Sequence, residues 1–395
     1  MDANRFLDSF KILSSGDPSW IQPQRKEAWD AFVNSSLPST QVEEFRHTDL
    51  SKLKLDGFFP NGSDTSWVFN GGQGVILGSL SESLKTNPRL VEPCLGKISR
   101  FKPWKLRLLH NALWSGGLFL YVPKNVRLTE PIRASSLVKE SGEAHFPHML
   151  IILEEGSAAT FINDVTTGSD GEQLVVSQCE IVLKPGSNLH YLNVQKLNCA
   201  SWCFMDQAVE LHNDARLTTL SLYLGGRITK SDVFINHVGR GSSSQILGIV
   251  FGDGEQHFNI QTFQQHPAPE TVSDLLYKII LDEKASSIFK GLIRIEKGGQ
   301  KSNAYQSNKN LLLSSKARVD SQPKLEIIAD DVRCTHGATV GSVDENQLFY
   351  LMSRGLDRRE AEKLIITGFC AEVCQRFGSP PVTEALMTDL QSKIG

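Results

Sequence analysis

The chain lacks a dominant charge. Its 395 residues carry 41 Lys plus Arg against 44 Asp plus Glu, a formal charge of −3. Nucleic-acid binding and polybasic membrane-surface binding both rest on excess positive charge, so neither is expected. Long hydrophobic runs are missing too. Stretches such as Leu118 to Val122 fall far short of the roughly 18 residues that a spanning helix needs. The first twenty residues include Asp2 and Asp8 and have no apolar run of signal length, so they are expected to be neither a secretory signal nor a transit peptide, although a cleaved transit peptide could precede them. Cysteine is sparse. Seven are scattered along the chain with no Cys-x-x-Cys pair, which disfavours a zinc ribbon, a thioredoxin motif and a self-contained four-cysteine cluster site. That usage suits a reduced compartment such as the cytoplasm. Gly-x-Ser-x-Gly and Walker A motifs are also missing, and Gly252-Asp-Gly254 has neither the lysine nor the helix of a phosphate loop. No proline occurs between Pro185 and Pro267, which suits strands that donate hydrogen bonds on both sides.

What is present divides into three textures: 1–116, 117–343 and 344–395. The first is mostly helical with breaks. Pro23 sits at a helix start, and Ala28, Trp29, Phe32 and Val33 follow at helical spacing. The second reads as strands, with short apolar runs bounded by Gly, Asn, Asp and Ser, from Leu118 to Val122 through Ile246 to Phe251 to Leu325 to Ile328. Turn sites at Gly156-Ser157, Gly186-Ser187, Asn213-Asp214 and Gly241-Ser242 recur at intervals of 30, 27 and 28 residues. A period of that size built from strands predicts a β-solenoid, each turn burying its inner face against its neighbours; a β-sandwich with hairpins of similar length is the alternative. The third texture is helical again. Asn346 to Arg354 predicts one helix ending at Gly355, and Asp357 to Glu360 a capping box opening a second. Ala361, Leu364, Ile365, Phe369 and Val373 then form an apolar stripe, expected to dock on the open end of the solenoid.

No catalytic constellation stands out. The densest chemical group is Arg333-Cys334-Thr335-His336-Gly337-Ala338. Cys334 and His336 are two apart, so in an extended segment they face one side, and together they could bind iron or zinc. Two donors do not close a site, so a second chain would have to complete it; the plain alternative is a packed thiol beside a hydrogen-bonded histidine. His145 and His148 have the wrong spacing for one inward-facing pair of ligands on a strand. Cys370 and Cys374 share a helix face with Phe369, Val373 and Phe377, which predicts packing. A carbohydrate-active β-helix would need stacked carboxylates, which Asp253, Asp274 and Asp282 do not establish.

The segments Ala329 to Gly341, Asp344 to Leu351, Ser353-Arg354-Gly355 and Glu360-Ala361-Glu362 closely resemble the C-terminal signature of the SufB/SufD family. Glu43 to Leu50 resembles an N-terminal motif of the same family. The resemblance spans nearly the whole chain. It is not to the SufB branch: Gly337, not glutamate, follows His336, and residues 311–320 hold no scaffold cysteine. It implies a right-handed parallel β-helix between helical ends and a non-catalytic subunit of a SufB–SufC–SufD complex that assembles iron–sulfur clusters. SufB would pair through the β-helix ends, and the isolated chain could pair with itself. The SufC ATPase would dock on the C-terminal helices, at Gln347, Phe349, Tyr350, Arg354, Arg358 and Arg359. His336, with Cys334, would hold iron or a nascent cluster transiently, shared with SufB, while this chain alone binds no cofactor. A purely structural adaptor without a metal role is the competing reading.

Overall fold

The computed structural model describes residues 3–61, 65–69, 71–72, 74–99 and 101–394. Its centre is a parallel β-solenoid of about 8 turns, each turn giving one strand to each of two sheets. One sheet runs from Gly117–Val122 through Leu174–Leu183 and His257–His266 to Arg318–Ile327. The other runs from Ile132–Val138 through Asn188–Lys196 and Val272–Leu281 to Arg333–Ser342. Successive turns pair parallel and in register, so Leu189 lies between Ala159 and Leu217. The corners fall at the turn sites read from the sequence: Gly156, Gly186, Asp214 and Gly241 all have positive φ, a conformation that glycine, and next to it Asn or Asp, adopts most readily.

Alternate residues of each strand face the solenoid interior. There they form columns, such as Leu120, Ile151, Ile181, Val209 and Ile235. Each fully buried side chain of this kind contributes about 1.5–3 kcal/mol. The outward faces are also apolar and also covered. On the first sheet Leu150, Val176, Phe204 and Phe234 lie beneath the N-terminal region. Its helices are α1 (Ala3–Gly16), α2 (Gln22–Val33), α3 (Leu80–Thr86), α4 (Pro88–Val91) and α5 (Lys105–Leu113). On the second sheet Leu192, Leu220, Leu247 and Leu276 form a column beneath the C-terminal region, made of α6 (Glu345–Ser353), α7 (Arg358–Phe377) and α8 (Pro380–Ile394). Burial on both faces explains why Leu174–Leu183 reads as a continuous run rather than an alternation: all ten of its residues are buried.

Buried polar contacts fix both flanks. Arg107 of α5 bonds Asp206 at 2.5 and 2.8 Å and also reaches Asp232. Burial alone would lower its pKa, but the two carboxylates outweigh that and keep it charged. The Glu180 carboxylate accepts from the backbone N–H groups of Gly96 and Ile98, and pairs with His148 at 3.1 Å. Further along, Thr48 bonds His257 and Asn259, and Lys290 Nζ donates to the Glu43 carbonyl at 2.9 Å. On the other flank, Glu372 of α7 pairs with Lys278, Lys309 and Arg376. The hydrogen bond from Lys278 is the chief reason its carboxyl is pushed down to about 2.

The two solenoid ends differ. At the N-terminal end, Ile76–Ser79 and Thr65–Val68 pair antiparallel with the first strands of the two sheets. The N-terminal region therefore contains strands as well as the helices expected, because an edge needs a hydrogen-bonding partner. At the C-terminal end, Arg318–Ile327 and Arg333–Ser342 have no further strand beyond them among the described residues. The expectation that the C-terminal helical stripe docks on the open end is incorrect. Ile366, Cys370, Val373 and Phe377 of α7 pack along the side of the second sheet. The outward column from Leu192 to Leu276 would otherwise face water.

Gly248 lies one turn below Tyr277 in an inner column, and a Cβ there would fall 2.1–2.5 Å from the tyrosine ring. Gly248→Ala is expected to destabilise the chain by about 1–3 kcal/mol through overpacking. Urea unfolding checks this, and an unchanged midpoint would contradict the packing.

Two interior histidines are also stacked, His237 on His266 at 4.4 Å and 8°. His237 bonds Ser242 and Ser244, and His266 bonds Thr271 and Ser273. Burial lowers both pKa values, that of His266 to about 4 from 6.5. Between those values the unfolded chain binds the proton and the folded chain does not. Stability is therefore full above the unfolded value and falls as pH drops below it. Each such histidine adds a slope of up to about 1.4 kcal/mol per pH unit. Measured by denaturant titration, His266→Gln should flatten the acid limb by about one proton; an unaltered limb would rule this out.

Candidate functional site

The last strand, Arg333–Ser342, is held by parallel pairing along its whole length with Asn303–Leu312. The pairing continues the inner columns: Cys334 follows Ala304, and His336 follows Gln306. Cys334 and His336 therefore do share a face, as their spacing requires. Their surroundings differ. Cys334 is half-buried against a small cluster that includes Ile293, Ile295, Ala304 and Ala329. Burial pushes its thiol pKa up, which keeps it protonated at neutral pH. His336 is exposed at the open edge. Among the described residues no three His, Cys, Asp or Glu side chains are grouped to hold a metal ion. Among the described residues, the last strand brings these two donors to one face and no third joins them.

The rim of the last turn includes uncovered apolar residues. Ile327, Ile328 and Val340 are 45%, 50% and 54% exposed. The sequence places Ile327 and Ile328 in an ordinary strand run. Only their position in the last turn leaves them uncovered, and no composition signal marks that. Gln306, directly beneath His336 and fully buried, was also not singled out by the sequence.

A second surface lies on the C-terminal helices. Asp344 caps α6 by accepting from the Asn346 N–H. Gly355 turns the chain at φ 99, and Asp357 and Glu360 close the full capping box of α7. Leu348 is the one buried residue of α6, so the rest of that helix projects. Phe349 and Tyr350 are 74% and 56% exposed. Arg354 lies over the Tyr350 ring at 5.1 Å, and Arg358 pairs with Glu345 and Glu362. Gln347 and Arg359 are exposed as well. A groove of about 480 Å³ runs between α6 and α7, lined by Gln347, Tyr350, Leu351 and Leu364 among others.

The remaining candidates are tied up in the fold. His145 bonds Glu143, and His148 bonds His110 and Glu180. Asp274 is paired with Arg376 and Asp253 with Lys393, so these carboxylates hold the C-terminal helices instead of stacking. Cys370 and Cys374 are buried in the helix–sheet core, and among the described residues no helix is long and apolar enough to cross a membrane.

Residues 136–369 match the family described as SUF system FeS cluster assembly, SufBD core domain, and residues 55–134 match the SufBD protein N-terminal region. The chain is 33% identical over 325 residues to the iron–sulfur cluster assembly protein SufD of Bacillus subtilis, covering 82% of this chain and 74% of that one. It is 31% identical to the SufD of Escherichia coli, covering 100% of this chain and 97% of that one. With these matches running through the solenoid, the last strand and most of the C-terminal helices, the chain belongs to the SufBD family of the SUF iron–sulfur cluster assembly system.

Proposed function

We propose that this chain is a non-catalytic scaffold subunit of a SufB–SufC–SufD type complex, and that its open solenoid end pairs with SufB. The observation that carries the reading is the uncovered last turn, where His336 ends an inner column and the rim includes exposed Ile327, Ile328 and Val340. An exposed edge strand is a ready pairing surface for a second β-solenoid. Pairing would bury that rim and bring further donors to His336. The imidazole would then hold iron or a nascent cluster in transit, with the cluster as cargo. Cys334 would contribute less, because its protonated thiol is turned into an apolar cluster. The projecting α6 and its groove with α7 suit docking of the SufC ATPase, which would supply ATP hydrolysis. The cytoplasm, or a plastid stroma, is the compartment this reading requires. The adaptor reading differs only in giving His336 no ligand role.

Two outcomes are expected. In complex purified from cells, His336→Ala should lower iron and sulfide content more than Cys334→Ala does. Each change should cost only about 1 kcal/mol of stability, as single substitutions typically do. Full cluster content with His336→Ala in an intact three-subunit assembly would leave the protein as an adaptor.

For the helical surface, Phe349→Ala combined with Tyr350→Ala should reduce SufC pull-down about tenfold or more, the scale of losing buried aromatic anchors. The fold should survive, since both side chains are exposed. Undiminished SufC recovery would move the docking site elsewhere. Removing everything after residue 345 is not an equivalent test, because it would uncover the outward face of the second sheet.

A further inference from the structure

A chain of buried ionisable groups lies beneath the N-terminal region, away from the last turn. His110 of α5 bonds the Val176 carbonyl through Nδ1 at 2.8 Å. Its Nε2 meets His148 Nδ1 at 3.1 Å, and His148 Nε2 meets Glu180 Oε2 at 3.1 Å. Glu180 also accepts from the backbone N–H groups of Gly96 at 2.7 Å and Ile98 at 3.2 Å. His110, His148 and Glu180 are 0%, 3% and 1% exposed. One file of bonds therefore joins α5 and residues 96–98 to the strands His148–Leu153 and Leu174–Leu183.

The ends of this file set its proton count. Each of the three links, from Val176 to His110 to His148 to Glu180, needs one proton. Both ends, a carbonyl oxygen and a carboxylate, accept. A neutral imidazole has one N–H and one bare nitrogen, so two neutral rings supply two protons for three links. With two alone, one link would set lone pair against lone pair in a buried site, which is costly. The surroundings say where the third proton goes. Burial, and after it the charge on His148, lowers the His110 pKa well below 6.5. His110 is therefore neutral, donates to Val176 and accepts from His148. His148 is left to donate from both nitrogens, to His110 and to Glu180. Two backbone donors aimed at Glu180 suit a carboxylate rather than a neutral acid. The Trp114 ring lies 5.3 Å from that of His148, close enough for an aromatic face to favour a cation. The other charges acting here are accounted for. Arg25 of α2, which also disfavours a charge on His110, is paired with Asp17 and donates to the Ala112 and Trp114 carbonyls. Cys94 feels Glu180, Lys184, Glu210 and Lys97, but burial pushes its thiol up and keeps it neutral.

We infer that His148 is held as an imidazolium against Glu180, and that this proton latches residues 96–98 and α5 onto the solenoid. Losing it turns a bare His148 nitrogen toward the carboxylate and loosens the grip of Glu180 on Gly96 and Ile98. An imidazole released from the latch has the ordinary value near 6.5. Above that pH, opening releases a proton. The latch is therefore fully tight below the ordinary value and weakens as pH rises, by up to about tenfold per pH unit, until the closed form has itself lost the proton. Its sign is opposite to that of the His237–His266 pair. The inference does not depend on the function proposed above.

The test begins with the proton count. The isolated chain is labelled with ¹⁵N at histidine, and long-range proton–nitrogen spectra are recorded near neutral pH. His148 is assigned by its ring contacts to Trp114. Both of its nitrogens should carry protons, whereas His110 should carry one, on Nδ1. A His148 ring with a single proton in the unmodified chain overturns the inference. Amide hydrogen exchange at Gly96 and Ile98 then reads the latch, as protection factors that remove the intrinsic pH dependence. Protection should fall as pH rises above about 6.5, by up to tenfold per unit; protection that does not change with pH rules out a latch. In Glu180→Gln the amide can donate to His148 Nε2 while its oxygen accepts from Gly96 and Ile98, so two ring protons suffice for the file. His148 should then carry one proton, on Nδ1, and the pH dependence should vanish. A doubly protonated His148 in the folded variant, or an unchanged slope, would show that Glu180 does not hold the proton. If the variant does not fold, the two measurements on the unmodified chain still decide.

Discussion

The in-register parallel ladder is the constraint on which the rest depends. Each strand satisfies its backbone N–H and C=O groups on the turns before and after it, so no turn is complete alone. Register then aligns side chains into columns, and a residue's surroundings are set by what sits one turn away. Tyr277 is accommodated by Gly248, His266 stacks on His237, and His336 lies over Gln306. The ladder also leaves two ends with unpaired edges. One is closed by antiparallel strands from the N-terminal region, and among the described residues the other is not. A side chain in the final turn is thus held on one side by a rigid column and free on the other. That combination suits a site to be finished by a second protein.

Two apolar outer faces follow from the same architecture. A solenoid strand with hydrophobic residues on both faces needs cover on the outside as well as neighbours within. Here the two terminal regions each take one flank. Their contacts are not apolar alone: Arg107 with Asp206 and Asp232, and Glu372 with Lys278 and Lys309, tie helices to strands. Breaking one partner of a buried pair leaves an uncompensated charge, so these ties specify where each helix sits. With α7 and α8 committed to the side of the solenoid, α6 is left projecting and the last turn stays exposed.

The fold was legible where local chemistry and periodicity agree. The interval between Gly156, Gly186, Asn213-Asp214 and Gly241 marked the corners, and Asp357 with Glu360 marked the start of α7. The strands that escaped notice, such as Asn188–Lys196, Trp202–Leu211 and His257–His266, carry Asn, Gln, Asp or His at buried or half-buried positions. Those polar groups are tolerated because they bond along and across the ladder, which sequence does not display. At the site, the shared face of Cys334 and His336 followed from spacing alone, whereas Gln306 lies thirty residues away in sequence and becomes a neighbour only through register. The placement of α7 was misread because its stripe shows that it docks but not where. The choice depended on the outward column of Leu192, Leu220, Leu247 and Leu276, visible only once inside and outside were assigned.

The N-terminal segment reaches far along the solenoid: Glu43 accepts from Lys290, and Thr48 bonds His257 and Asn259. A ribosome releases these partners long after it releases the segment itself. At about 5–20 residues per second, tens of seconds of synthesis separate Thr48 from Lys290. Throughout that interval Phe45, Leu50, Leu53 and Leu55, all buried in the finished molecule, have only part of their final surface to pack on. The nascent chain therefore carries an incompletely packed apolar arm through most of its translation, and the arm reaches its final packing only late in synthesis.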